Sequence, residues 1–503
     1  MSSQLRNDRA LVRANDWKRF CRYDAEAGFH VLETEDVGEV PVRLFLGEPL
    51  LRECEPEVYR QIVSATRFAG VKMVAITPDV HVGYGVPVGC VILTDRDEGA
   101  VAMGPVGFDI GCGMMSASSE VPADAATPDR RLDFNRAVTE RVALGAGGVN
   151  AAAPLSEREL EEVVRGGAEA YLAKHDARVP RDRAERQRIP VDDEWSIPWG
   201  GKGRPERGLA QLGTLGGGNH FIELQRSEQT GTLFVQLHTG SRGFGHGLAT
   251  NYFELARAER PEQCDIDLGF FTPDSPHHRD YLNAVAAGGN FAIVNRLVLF
   301  EAVAQAFRSV FRAELELVYE LSHNLVQAET HPEFGDVWVH RKGATRAFPA
   351  GHPALAETAW AERGHPVLIP GSNRDWSYIL RPLSGAVKSG YSVNHGAGRR
   401  LSRGEASRTL SQEKVDEQYR RDGILVNLDG RVPLDEASAC YKSSDEVVSA
   451  VVAAGLAEVE HRLWPVCSLK GTEEGARSPR ARERKAANKR RDRERSQRRG
   501  LKS

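Results

Sequence analysis

The chain has 503 residues, 41% hydrophobic and 27% charged, with a formal net charge of −4. That length suits two to four domains or one large enzyme with insertions, and the balance of apolar and charged residues excludes a wholly disordered chain, a collagen and a coiled-coil rod. The charge is uneven: residues 476–503 hold 13 Lys/Arg against 3 Asp/Glu, leaving 53 basic against 67 acidic residues on the rest, so a basic tail on an acidic body points to a polyanionic partner.

The N-terminus, MSSQLRNDRALVRANDWKRFCRYD, has charges where a secretory leader needs its apolar stretch, and no run of 18 apolar residues exists. The expectation is a cytoplasmic protein with no membrane association. Seven cysteines spread from Cys21 to Cys467 without a CxxC pair do not form a disulfide framework.

In chain order, residues 1–120 open strand-rich, with VPVRLFL (40–46), VKMVAIT (71–77) and VPVGCVILT (86–94) each set off by glycines. From about 121 to 208 the sequence turns polar and helical. LSERELEEVVRGGAEAYLAKH (155–175) has apolar residues at helical spacing, and the charged stretch ARVPRDRAERQRIPVDDE follows, which predicts a helical region inserted over the core. Within 209–245 the strand LFVQLH (233–238) lies between two glycine-rich loops. Asn283 to Glu329 reads as a long helical segment, because Val303, Phe307, Val310, Phe311, Val318 and Leu321 recur at steps of three and four, with a break near Arg312. Short strands are expected over 337–395, a polar helix over 403–421 and a helix near 445–463. Together these predict a mixed α/β (α+β) protein of complex topology. One large catalytic domain covers 1–475, and 476–503 forms a basic tail, disordered or a solvated helix.

Five loops set reactive side chains among glycines: PDVHVGYG (78–85), GPVGFDIGCGMM (104–115), TLGGGNHFIEL (214–224), LHTGSRGFGHG (237–247) and VNHGAGRR (393–400); His323 of LSHN is a further candidate at the end of the long helix. Asp109 and Cys112 lie three apart on a backbone that glycines allow to curl, so a carboxylate and a thiolate can face one cation, while His220, His238 and His323 offer neutral imidazoles. Five such ligands exceed the four of a closed structural zinc site, and a thiolate can bridge two ions, so a dinuclear site with open positions fits better. Softness of the donors points to zinc. The chain lacks GxxxxGK[ST] and the lysine-x-aspartate-glycine of lysine-nucleophile ligases, the nearest approach being Arg421-Asp422-Gly423. If a covalent nucleotide adduct forms, His395 suits it: Gly396 and Gly398 let a nucleotide approach, and Arg399 can hold phosphate oxygens.

PDVHVGYG, GFDIGCG, LGGGNHFIEL, HTGSRG, SHN, HRKGA, IPGSNRDWSY, NHGAGR and Lys470-Gly471 occur in the order seen in RtcB-type RNA-splicing ligases, which the chain resembles from about residue 40 to Gly471. The resemblance implies a GTP-dependent, manganese-dependent ligase that joins RNA 3′-phosphate or 2′,3′-cyclic phosphate ends to 5′-hydroxyl ends through a histidine-GMP intermediate, in RNA repair or tRNA splicing, with an activating partner protein as one option. Carried over by position, Asp109, Cys112 and His220 hold one metal, and Cys112 bridges to a second held by His238 and His323. His395 is the guanylylated histidine. Asn219, His220, Phe221, Ile222, Glu223, His323, Asn324, Pro370, Gly371, Ser372, Asn373, Ser377, His395, Gly396, Ala397, Gly398 and Lys470 match positions that hold the guanine nucleotide.

Asn373-Arg374-Asp375 departs from the family pattern, where a methionine followed by glycine and a small residue is usual. Two other classes remain open. A metal-dependent phosphoesterase or cyclic-phosphate hydrolase would use His395 only as a general acid, and a non-catalytic RNA-binding protein would need the tail but not the ligand constellation.

Overall fold

The continuous apolar runs of the first hundred residues become strands because the sheet they build is covered on both faces. Along Val71–His81 and Val88–Asp95 alternate residues enter two different apolar clusters. Val74, Ile76 and Ile92 pack with Val58, Tyr59 and Ile62 of the helix Pro56–Ala65. Met73, Ala75, Val91 and Leu93 pack on the other side with Val448 and Val451 of the helix Ser444–Ala453. The computed structural model describes residues 16–150, 153–174, 188–261 and 266–471; the tail and residues 175–187 of the charged stretch lie outside them.

Two large sheets dominate this mixed α/β fold. The first runs in the order Cys21–Asp24, Phe29–Leu32, Val42–Leu44, Val71–His81, Val88–Asp95, Gly335–Lys342, Asn324–His331. The second runs Glu316–Ser322, Gly113–Pro122, Thr232–Thr239, Phe221–Ser227, Ala457–Lys470, Ser377–Pro382, Val367–Ile369. Between the last residue of Glu316–Ser322 and the first of Asn324–His331 stands one residue, His323, so the chain passes from one sheet to the other there.

The helix His278–Phe311 lies against the second sheet, with Ile293, Leu297, Val303 and Phe307 meeting Ile222, Leu224, Val235 and Leu237. By length and composition it could cross a membrane, but 89% of its most apolar 18-residue stretch is buried inside the protein. Helices Pro128–Thr139, Glu157–Lys174 and Arg242–Glu259 pack on it. Phe134, Val138 and Leu172 of the region predicted as a helical insertion therefore share its core.

Two expected helices are shorter than the spacing suggested. The long one ends at Phe311, with Arg312 in the left-handed conformation (φ 59°), and residues 316–331 form two strands. Leu315, Leu317, Tyr319 and Leu321 alternate, and that period of two prevails over the steps of three and four. His323 is thus a link between sheets, not a helix end. Likewise the helix near 445–463 stops at Ala453, Gly455 turns with φ 68°, and the strand Ala457–Lys470 follows.

Arg296, fully buried on the long helix, forms an ion pair with the equally buried Glu320. Removing one partner of such a pair typically costs about 3–5 kcal/mol, whereas replacing both by apolar groups is far milder. Arg296→Met is expected to lower stability by about that amount, and Arg296→Met with Glu320→Leu to recover part of it; denaturant midpoints of the three proteins check this.

Candidate metal and nucleotide site

The strand register of the second sheet brings the motif loops to one end. Phe221 pairs with both His238 and Lys470, and Gly113 pairs with Thr239 and Ser322. Cys112, His220, His238, His323 and Lys470 are consequently neighbours in space although they span most of the sequence. Cys112 and Asp109 share one turn, closed by Cys112 N–H donating to Asp109 O (3.1 Å), and Cys112 O accepts from His323 N–H at 2.8 Å.

The donor atoms form a row. Asp109 Oδ2 lies 3.1 Å from His220 Nε2, which is 3.5 Å from Cys112 Sγ; that sulfur is 3.2 Å from His238 Nε2, itself 3.2 Å from His323 Nε2. Cys112, His220 and His238 are buried, with ligand atoms all within 4.8 Å of one another. His220 Nδ1 donates to Leu215 O (3.1 Å) and His238 Nδ1 to Asn219 O (3.0 Å), so Nε2 of each ring faces the row, that of His220 toward Asp109 and that of His238 toward Cys112 Sγ. His323 Nδ1 is buried with no hydrogen-bond partner.

Burial, then electrostatic interaction with the neighbouring histidines, pushes His238 and His323 well below the ordinary histidine value, which keeps them neutral. Burial, then Asp109, raises the Cys112 thiol well above its ordinary value. For Asp109 burial also acts upward, but the His220 hydrogen bond, the His220 charge and Arg242 outweigh it and hold the carboxyl well below the usual range. Neutral imidazoles, a carboxylate and a thiol that a divalent cation would deprotonate are a donor set that fits metal ions. Gly240 makes room for it, since a Cβ there would lie 2.2 Å from Asp109 Oδ1.

His395 stands beside this row, its ring 4.9 Å from that of His323. Its Nδ1 donates to Asp79 Oδ2 at 2.6 Å, and its main-chain N–H donates to the same oxygen at 3.1 Å. Asp79 is buried and is also held by Thr77 Oγ1 (2.6 Å); burial acts upward, but His395 outweighs it and the carboxyl is lowered. With the proton on Nδ1, Nε2 of a neutral His395 carries the lone pair.

A cavity of about 710 Å³ joins these parts. Asp109, Cys112, His238 and His323 line it with Asn219, Phe221, Asn324, Pro370, Gly371, Ser372, His395, Gly396, Ala397, Gly398 and Lys470. Glu223, Asn373 and Ser377 sit behind the wall. Gly371 N–H donates to Ser377 Oγ, which accepts from Gln225, whose amide also reaches Glu223; Asn373 accepts from Tyr419. Strand alternation sends Ile222 into the apolar core, away from Phe221 and the cavity. Lys470 pairs with buried Glu436 (3.1 Å), which Arg399 also meets at 3.2 Å.

Sequence reasoning passed over Asp79, although it stands in PDVHVGYG, and over Arg296. The latter donates to Gly111 O (2.7 Å), Thr239 O (3.1 Å) and Ser322 Oγ (2.8 Å), each one residue from Cys112, His238 or His323. A fully buried arginine inside an apolar helix was the available signal.

The mixed α/β fold thus sets a buried Cys112/His220/His238 donor cluster, of a kind that suits metal binding, next to a carboxylate-held histidine. The chain belongs to the tRNA-splicing ligase RtcB family, whose model matches residues 61–471. It is 36% identical over 450 residues to the RNA-splicing ligase RtcB of Mycobacterium bovis, covering 82% of this chain and 100% of that one. It is 34% identical over 427 residues to the tRNA-splicing ligase RtcB of Aeropyrum pernix, covering 79% and 87%. With that of Thermococcus kodakarensis it shares 33% over 469 residues, covering 86% and 95%.

Two outcomes follow from this geometry. Cys112→Ala, which removes the central donor of the row, is expected to lose bound divalent metal, while Cys90→Ala in the first sheet keeps it; elemental analysis finding two tightly held ions per chain in Cys112→Ala would contradict the bridge. Glu223, raised by burial to about 7 from 4.5 against the opposing pull of Gln225 and Lys470, keeps a proton in the folded state that the unfolded chain releases. Its contribution to stability is therefore lost as pH rises from about 4.5 through about 7, and Glu223→Gln should flatten that decline. Denaturation midpoints of both proteins at about pH 5 and about pH 8 measure it.

Proposed function

We propose that this chain is a GTP-dependent RNA ligase that joins 3′-phosphate or 2′,3′-cyclic phosphate ends to 5′-hydroxyl ends, in RNA repair or tRNA splicing. Membership of the RtcB family supports RNA as the substrate and ligation as the reaction. The observation that carries the mechanism is His395, its Nδ1 fixed on Asp79 and its ring beside the donor row in one cavity.

His395 Nε2 attacks the α-phosphorus of GTP, a P–N bond forms, and the P–O bond to pyrophosphate breaks. Asp79 holds the ring in the reactive tautomer and offsets the positive charge it gains, the task of a carboxylate behind a catalytic imidazole. A 2′,3′-cyclic end is first opened by water to a 3′-phosphate; an oxygen of that 3′-phosphate then takes GMP as the P–N bond to His395 breaks, and the 5′-hydroxyl, losing its proton, attacks the activated phosphate and displaces GMP to leave a 3′,5′ bond. Asp109, Cys112, His220, His238 and His323 would hold divalent cations, manganese by family resemblance, which would supply charge stabilisation at the phosphates. Lys470, Asn219, Phe221, Pro370, Gly371, Ser372 and the loop His395–Gly398, which line the cavity, hold the guanine nucleotide, with Glu223, Asn373 and Ser377 supporting them from behind the wall. The net charge of +10 on residues 476–503 attracts RNA phosphates.

Incubation with labelled GTP and Mn²⁺ is expected to give an acid-labile, base-stable adduct on His395. Asp79→Asn should slow its formation by roughly 10²–10⁴-fold, the range for proton-transfer and orienting carboxylates. Label on a lysine, or undiminished label in His395→Ala, would overturn the assignment. Absence of any adduct alongside cleavage of cyclic phosphates would favour the hydrolase reading.

A further inference from the structure

The turn at 82–85 belongs to the first of the glycine-rich loops, yet none of the roles above uses it. Tyr84 is 69% exposed there, on the lining of the same cavity as His395, with Val82 beside it also exposed. The backbone under that exposed ring is fixed. The Gln61 side-chain amide donates to Gly83 O (2.6 Å) and accepts from Gly83 N–H (3.0 Å). The buried Lys342 ammonium donates to the carbonyls of Tyr84 and Val86. Gly85, at φ 69°, lies so close to Asp267 that a Cβ would be 2.5 Å from its carbonyl oxygen. An aromatic ring on a pinned main chain gives a flat ligand a surface whose ordering cost is already met.

The apolar surface does not stop at Tyr84. Phe108 stands perpendicular to it, with ring centroids 6.3 Å apart, and is stacked with Phe253 (4.7 Å) and His246 (5.3 Å). Phe108 immediately precedes Asp109, so an aromatic wall leads from the exposed ring to the donor row. The exposed Arg400 and Arg403 line the same cavity and bring positive charge, although Arg400 also meets Glu53 (2.6 Å) and Arg403 approaches Glu436 (3.8 Å). A flat apolar face and guanidinium groups in one cavity are the combination that takes an unpaired nucleotide, base on the ring and phosphate on the cations.

We infer that Tyr84 is a stacking platform for a nucleobase of the RNA end that enters the cavity, a step that rests on the ligase reading above. The base of GTP offers the same chemistry. The segments assigned to the guanine nucleotide lie on other loops, however, which leaves the turn at 82–85 to RNA.

The test uses the full chain and a single-stranded RNA bearing 2-aminopurine at its terminal nucleotide, once with a 5′-hydroxyl end and once with a 3′-phosphate end. Guanylylation by labelled GTP is read in parallel. Stacking should quench the probe in the wild-type protein. Tyr84→Ala should lose the quenching and bind the oligonucleotide roughly tenfold more weakly, within the range for one stacked base. Tyr84→Trp should restore both. Equal quenching and affinity in Tyr84→Ala overturn the platform. A Tyr84→Ala protein whose GTP labelling falls while its RNA affinity holds overturns it too, since the ring would then serve the GTP base. Tyr84-dependent quenching in a protein that takes up no label from GTP would sink the ligase reading and leave the platform standing.

Discussion

The site depends on Arg296. Three ligand-bearing segments, around Cys112, His238 and His323, come from three strands, and each would otherwise end in a main-chain or hydroxyl group facing the protein interior. One guanidinium satisfies Gly111 O, Thr239 O and Ser322 Oγ while pairing with Glu320. Its planar fork fixes the directions of those bonds as well as their existence, which a lysine cannot do. A misplacement of any one segment would open the row of donors, and the guanidinium makes the three positions depend on one another. The long helix that carries it is buried nearly all round, so Arg296 cannot move without moving the core.

Around that clamp the two sheets divide the chemistry. The second sheet and its loops contribute Cys112, His220, His238 and Lys470, while the first contributes Asp79 behind His395, and His323 is the single residue between them. A centre at such a junction gathers groups that no one strand could supply. It also explains the burial of the donors: they lie where two sheet ends close on each other, and the low polarity there keeps the imidazoles neutral.

Much of the site was legible because glycine-flanked reactive residues are rare enough to stand out, and their motif order named the family. The loops carrying Asp109, Cys112, His220, His238 and His395 do converge. What the sequence concealed was of two kinds. Periodicity misled where two periods fit the same residues: Val318 and Leu321 continue a helical step, while Leu317, Tyr319 and Leu321 alternate, and pairing with Gly113–Pro122 settles the outcome through contacts far away in sequence. Supporting residues were hidden because their role exists only in three dimensions. Asp79 precedes His395 by more than three hundred positions, and nothing local marks it as that imidazole's partner.

The stretch that departs from the family pattern shows how a loop can change its residues and keep its place. Asn373 accepts from Tyr419, and Arg374 Nε donates to Asp422 Oδ2 (2.5 Å), so both reach the helix Gln412–Arg421 or the residue that ends it. Asp375 Oδ2 accepts from Ser444 N–H (2.9 Å), one of the unsatisfied donors in the first turn of the helix Ser444–Ala453. Three successive side chains therefore tie the cavity wall at Pro370–Ser372 to two helices. The helix Ser444–Ala453 packs against both Val71–His81 of the first sheet and Ala457–Lys470 of the second, so that tie joins the wall to both sheets. The departure thus falls on the outer, supporting side of the loop, while Pro370, Gly371 and Ser372 remain on the cavity.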